Sequence, residues 1–249
     1  MAEEKRKILV LVEGERRDVD LMERLLRIFE IDIKYKIVPY RTNIYTLFNE
    51  MFADNDPSAF DLLQVLKARE HNESRKAIFD DVYSDMLLIF DYEPHAPDFA
   101  PEKIRRMAEY FTESSDMGKL YLNYPMVEAF YHMRSIPDPS FDTYLSTLEE
   151  LAAGGYKARV GRENRNHDYR KFAVNKEECS IVIRQNIDKA RDLITNEMGD
   201  GIIPEQNRIL NVQLDLLETK KIVSVLSTCA FFIPEYNPKL IGLSCSGDM

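Results

Sequence analysis

Two short runs of almost unbroken apolar residues, Ile8–Val12 (ILVLV) and Met86–Phe90 (MLLIF), restrict what this chain can fold into. Strands covered on both faces, as at the centre of a parallel sheet, need runs of this kind. Each run stops abruptly on an acid, the first at Glu13-Gly14 and the second at Asp91. A helical pattern follows the first, with apolar positions at Val19, Met22, Leu25 and Leu26. A carboxylate at the end of a buried strand, ahead of a glycine and a helix, lies where open α/β sheets handle their ligands.

The remaining pattern supports that architecture. Residues 32–38 alternate as a second strand, and 43–53 and 58–69 read as two helices separated by a break at 54–57. A proline-rich loop over 93–101 leads into a helix from Pro101 to about Thr112, because proline suits a first helical position. A short strand at Leu120–Leu122 precedes a helix expected from Met126 to Met133. The order β-α-β-(αα)-β-α-β-α predicts a mostly parallel sheet flanked by helices. From Pro137 the character changes. A helix is expected over 142–152 and ends at Gly154-Gly155, and a polar, basic stretch fills 156–171. Long helices follow over 176–198 and 205–218, and 222–233 is apolar without a deciding period. The last residues, SCSGDM, read as frayed. The expected division is an α/β domain over 1–136 and a mainly helical region, 137–249, packed on it or forming a lid or a homodimer surface.

Composition limits the function classes. No apolar run approaches the roughly 20 residues that span a bilayer, so no membrane role is expected. The charged N-terminus shows no secretory signal, and three cysteines without CxxC pairing fit a reducing cytoplasm rather than a disulfide framework or thiolate zinc site. A net charge of −10 opposes unspecific binding to polyanions. Acidic metal ligands contribute negative charge of their own, however, so a nuclease stays within range.

Asp91-Tyr92-Glu93 adds a second carboxylate to the strand end, and residues two apart in an extended segment point the same way. Glu13, Asp91 and Glu93 at one mouth repel one another unless a divalent cation neutralises them. Oxygen-only ligation suits Mg²⁺ or Mn²⁺, ions that serve phosphoryl transfer. The bland alternative for Glu13 is a helix cap, and acids such as Asp18 and Asp20 complement a helix dipole whatever the function. In the segment 157–171, Lys157, Arg159, Arg162, Arg165, Arg170 and Lys171 oppose the global sign of charge. They suit phosphate contacts to DNA or RNA, the favoured reading beside such a core, over a solvated loop or a contact for an acidic partner.

A strand ending in VEGE, an acidic helix and a later strand ending in DxE together resemble the TOPRIM domain of topoisomerases, primases and OLD-family nucleases. The resemblance implies a TOPRIM-like sheet, with Glu13 as general acid/base or metal ligand and Asp91 and Glu93 holding metal. It places Asp18 where OLD-like members carry a further acid. The segment Asn123–Phe130 (NYPMVEAF) is similar to the NPxxE-aromatic segment of RloB-like proteins of phage defence. That similarity implies that Asn123 and Glu128 lie close to the metal, Glu128 as a ligand and Asn123 toward substrate. The likeness covers roughly residues 1–135, and it departs from the family where Glu93 stands for the second aspartate of DxD. Topoisomerase and primase accessories are missing, which leaves a small Mg²⁺/Mn²⁺-dependent endonuclease as the expected function, and the RloB-like resemblance implies that it is an anti-phage effector. Such an enzyme needs restraint, and no Walker A segment is present, so an ATPase partner is expected. The alternative is a catalytically silent TOPRIM-fold binding or regulatory subunit of a defence complex with that ATPase.

Overall fold

The computed structural model describes residues 7–31, 34–52, 57–194 and 203–243. The expected break at 54–57, the end of the helix expected to reach 198 and the terminal SCSGDM lie wholly or partly outside the described residues.

The apolar run forms β1 (Lys7–Val12), buried from Ile8 onward. It leads into α1 (Arg17–Ile28), which presses Leu21, Met22, Leu25 and Leu26 into the core at helical spacing. After β2 (Lys34–Pro39) come α2 (Ile44–Met51), α3 (Leu62–Arg69) and the single turn α4 (Glu73–Lys76). Then β3 (Asp85–Asp91) and α5 (Pro101–Tyr110) lead to a hairpin of β4 (Thr112–Glu113) and β5 (Gly118–Tyr124). Gly118 sits at φ +109°, and a Cβ there would lie 2.6 Å from Leu88 Cδ1, so this turn requires glycine.

The sheet order is β2-β1-β3-β5-β4, with the first four strands parallel. This is a Rossmann-like α/β arrangement. Because β1 has β2 on one side and β3 on the other, the two crossovers run in opposite directions. Right-handed crossovers then put α1 on one face and α2 and α3 on the other. The β1/β3 boundary is therefore the topological switch point, where a crevice opens at the carboxyl ends of the strands. At the outer edge, the exposed first half of β2 carries Lys34 and Lys36, residues that discourage edge-to-edge pairing.

Beyond residue 137 the chain forms β6 (Leu145–Thr147), α6 (Leu148–Ala152), α7 (Gly155–Glu163), α8 (Lys176–Leu193), α9 (Gln206–Lys220), β7 (Ile222–Ser224), β8 (Leu226–Ser227) and α10 (Phe232–Tyr236). Strands β6 and β7 pair antiparallel as a separate ribbon, while β8 pairs antiparallel with the end of β5. The later part of the chain thus contributes a strand to the main sheet. No helix among the described residues is long and apolar enough to cross a membrane.

Several local expectations differ from the structure. The helix expected over 142–152 is reduced to α6, because Thr147 caps it by accepting the Glu150 N–H and the preceding residues form β6. Gly154, at φ +68°, ends α6 as expected, but α7 starts directly after it inside the basic stretch. The segment expected as a helix over 126–133 is a 3-10 turn at Val127–Tyr131, all five residues of which are buried. Total burial removes the polar face that would have distinguished an amphipathic helix.

Candidate functional site

The carboxyl ends of β1 and β3 lie side by side in register, Val12 opposite Ile89. The ladder continues one step further, with the Glu13 N–H bonded to the Ile89 carbonyl at 3.1 Å. Glu13 therefore leaves the sheet beside Asp91, and its Oε2 accepts the Asp91 N–H at 3.1 Å. Asp91 in turn lies opposite Asn123 on β5, whose Nδ2 approaches Asp91 Oδ1 at 3.4 Å. The chain then turns through Glu93 at φ +36°, and the Glu93 N–H donates to the Pro125 carbonyl at 3.1 Å. Glu13, Asp91 and Glu93 each offer a carboxylate oxygen, all within 4.8 Å of one another.

Three acids this close, with Asp91 only 6% exposed, resist simultaneous ionisation. Burial, then the Glu93 charge, pushes the Glu13 carboxyl up to about 8, although the Asp91 N–H and Lys157 pull the other way. Burial, then the charges of Glu13, Asp18 and Glu93, holds Asp91 well above the usual carboxylate range, opposed by its Asn123 contact.

Asp18 on α1 is buried and raised by desolvation, opposed chiefly by hydrogen bonds from the backbone of Gly14 and of Asp18 itself. A Cβ on Gly14 would stand 2.4 Å from Asp18 Oδ2, so the glycine of the Glu13-Gly14 pair makes room for this carboxylate. Asp18 faces the cluster electrostatically but is not among the three acids that converge.

Glu128 is not brought into that group either. It is fully buried, and its Oε1 is ion-paired with Arg17, while Oε2 has no partner. The expected ligand is thus a carboxylate held by an arginine from α1.

The expected substrate-binding cations separate into two groups. Arg159 is bound by Glu150 and the Leu145 carbonyl, Arg165 by both oxygens of Glu178, and Arg170 by Asp168. Lys157 and Arg162 lie exposed on α7, and Lys171 is exposed in the turn that follows. Of all six, Lys157 is the cation whose charge reaches both Glu13 and Asp18.

Sequence reasoning missed the support behind Asn123. Ser227 Oγ donates to Asn123 Oδ1 at 2.8 Å, which turns the amide so that Nδ2 faces Asp91. The Ser227 N–H is fixed in turn by Asn186 Oδ1 of α8 at 2.7 Å. The available signal was Ser224, Ser227 and Thr228 interrupting the apolar 222–233 stretch, since hydroxyls in a buried segment need partners. No protein-family model, curated protein or solved structure matches this chain.

Proposed function

We propose that this protein hydrolyses phosphodiester bonds in nucleic acid with a divalent cation, on a TOPRIM-like version of its Rossmann-like core. The observation that carries the reading is the convergence of Glu13, Asp91 and Glu93 within 4.8 Å at the switch point of the sheet. The donor set fits Mg²⁺ or Mn²⁺. It is all oxygen and acidic, and its mutual repulsion is relieved by positive charge. When bound, such an ion supplies charge stabilisation at the scissile phosphate.

The protein's own groups perform the rest. Asn123 holds Asp91 in place, and the Asp91 N–H fixes one oxygen of Glu13. The other oxygen of Glu13 is left to take a proton from an attacking water as general base. Lys157, whose charge favours the ionised form of Glu13, offsets part of the acid charge that would repel a phosphate. The setting we attach to this activity follows the family resemblance: an anti-phage effector restrained by an ATPase partner.

The test is incubation of purified protein with plasmid, single-stranded DNA and total tRNA, in Mn²⁺ or in EDTA. Cleavage in Mn²⁺ that disappears in Glu13→Ala is the expected result. If Mn²⁺ neither triggers cleavage nor raises the melting temperature, the reading is wrong.

A further inference from the structure

A cavity of about 440 Å³ opens between the start of α1 and the 3-10 turn at Tyr169–Lys171, and Arg16, Arg17, Arg24 and Arg170 line it. Four arginines in one cavity run against a net charge of −10. The acids lining it are Asp20 and Asp168, of which Asp168 is engaged by the Arg170 fork, and Arg17 is paired with Glu128 behind the cavity.

Two of the arginines are locked by the surrounding structure. Arg24 donates to the carbonyls of Tyr169 at 3.1 Å and Phe172 at 2.7 Å, stapling α1 to the turn. Arg17 is held by the buried Glu128 carboxylate and lies 4.8 Å over the Tyr169 ring, which stacks on Tyr131 at 4.6 Å. One terminal nitrogen of Arg17 serves Glu128, and its other donors have no acceptor among the described residues. A guanidinium fixed by a buried carboxylate and an aromatic face loses little freedom on gripping an anion. The Arg16 carbonyl accepts the Asp20 N–H at 2.8 Å as the N-cap of α1, while its guanidinium has no hydrogen-bond or ion-pair partner among the described residues. It stands at the positive end of a 12-residue helix, which favours an anion there.

We propose that this cleft is a phosphate subsite, in which Arg16, Arg17 and Arg170 hold a backbone phosphate of a single strand whose neighbouring segment reaches the carboxylates. The face of α7 joins the two places. Lys157 acts on Glu13 and Asp18, and Gly161, four residues on and so about 6 Å along the same face, lines the cleft. A Cβ at Gly161 would meet nothing within 4 Å, so no neighbouring atom crowds α7 at that point. The identity of the phosphate's owner rests on the nucleic-acid function proposed above, whereas the anion-binding chemistry does not.

The experiment measures binding of a short fluorescein-labelled single-stranded oligonucleotide in EDTA by anisotropy, over a series of salt concentrations. The double variant Arg16→Ala/Arg170→Ala is compared with the native protein. Both side chains are at the surface, and the Arg170–Asp168 pair is an exposed contact of little energetic weight. Affinity is expected to fall on the order of tenfold, and the salt slope to flatten by up to about 0.7, the share of one phosphate contact. Inorganic phosphate is expected to compete with the oligonucleotide on the native protein and to have little effect on the variant's residual binding. Unchanged affinity and slope in the variant overturn the proposal, as does a native protein that binds neither oligonucleotide nor phosphate. A Mn²⁺-induced rise in melting temperature, read on the same samples, reports the carboxylates separately. Arginine-dependent binding without Mn²⁺-dependent cleavage would sink the nuclease and keep the subsite, and cleavage indifferent to the double variant would do the reverse.

Discussion

Replacing Glu13 by glutamine should make the ion-free protein more stable at pH 8, not less. The native carboxyl is raised from 4.5 to about 8, so the folded state holds its proton more tightly than the unfolded chain does. For an acid shifted upward, the stabilising contribution is complete below pH 4.5 and is lost as pH climbs through about 8. Each tenfold change in proton affinity is worth about 1.4 kcal/mol, which sets a ceiling of about 5 kcal/mol on the loss. The repulsion is shared with Asp91 and Glu93, and Glu13 is partly exposed, so Glu13→Gln should recover about 2–3 kcal/mol at pH 8. For a chain of this length that is a rise of about 4–12 °C in melting temperature. Glutamine retains an oxygen to accept the Asp91 N–H, so the backbone contact survives the substitution. Scanning calorimetry in EDTA from pH 5 to 8, with native and variant protein side by side, reads the difference directly. Adding Mn²⁺ at pH 8 should stabilise the native protein and leave the variant almost unmoved. A variant that is less stable than the native protein by the same margin at pH 5 and pH 8 would refute the reasoning, because Glu13 would then be a structural acceptor rather than one member of a strained acid group.

Three further outcomes follow from the same geometry. Ser227→Ala leaves the buried Asn123 oxygen without its donor and should cost about 1–3 kcal/mol by urea denaturation, with a weaker Mn²⁺ response. Gly14→Ala places a methyl 2.4 Å from Asp18 Oδ2 and should displace that carboxylate, lowering both the melting temperature and Mn²⁺-dependent cleavage; a variant equal to native protein in both would rule out the close approach. Lys189 is buried on the carbonyls of Phe141 and Tyr144, both at 2.8 Å, and burial pushes its ammonium down from 10.5 to about 7. A base shifted downward stabilises the fold increasingly as pH rises from about 7 to 10.5, so native protein should gain stability relative to Lys189→Met across that window, and a difference that does not change with pH would refute it.

The strands that carry the site were legible because their neighbours bury them on both faces. A run such as Leu87–Phe90 has no polar alternation to confuse the reading, and the acids at its end mark where the strand meets solvent. Glu13, Asp91 and Glu93 could be paired on those grounds alone, since parallel strands end on the same side of a sheet. Helix α7 was not legible, because its buried contribution is only Tyr156 and Val160, too sparse to show a period among basic residues. Glu128 was assigned to the metal from its motif. What holds it is Arg17, 111 residues away in sequence, and no local pattern reports so distant a partner. The same limit applies to Ser227 and Asn186, whose relation to Asn123 exists only after β8 has joined the sheet.

That late strand has a kinetic side. The chain from β1 to β5 brings Glu13, Asp91 and Asn123 together, yet the amide of Asn123 is oriented by a serine 104 residues further on. Closing a loop of that length is among the slower events in folding, because its entropy must be spent before the contact returns anything. The core can therefore condense well before Asp91 acquires its properly turned neighbour. During synthesis, a ribosome-bound chain that has emerged only as far as β5 would hold the three acids without the serine that orders their surroundings. Competence at this centre would then be the last property the molecule acquires, after its shape.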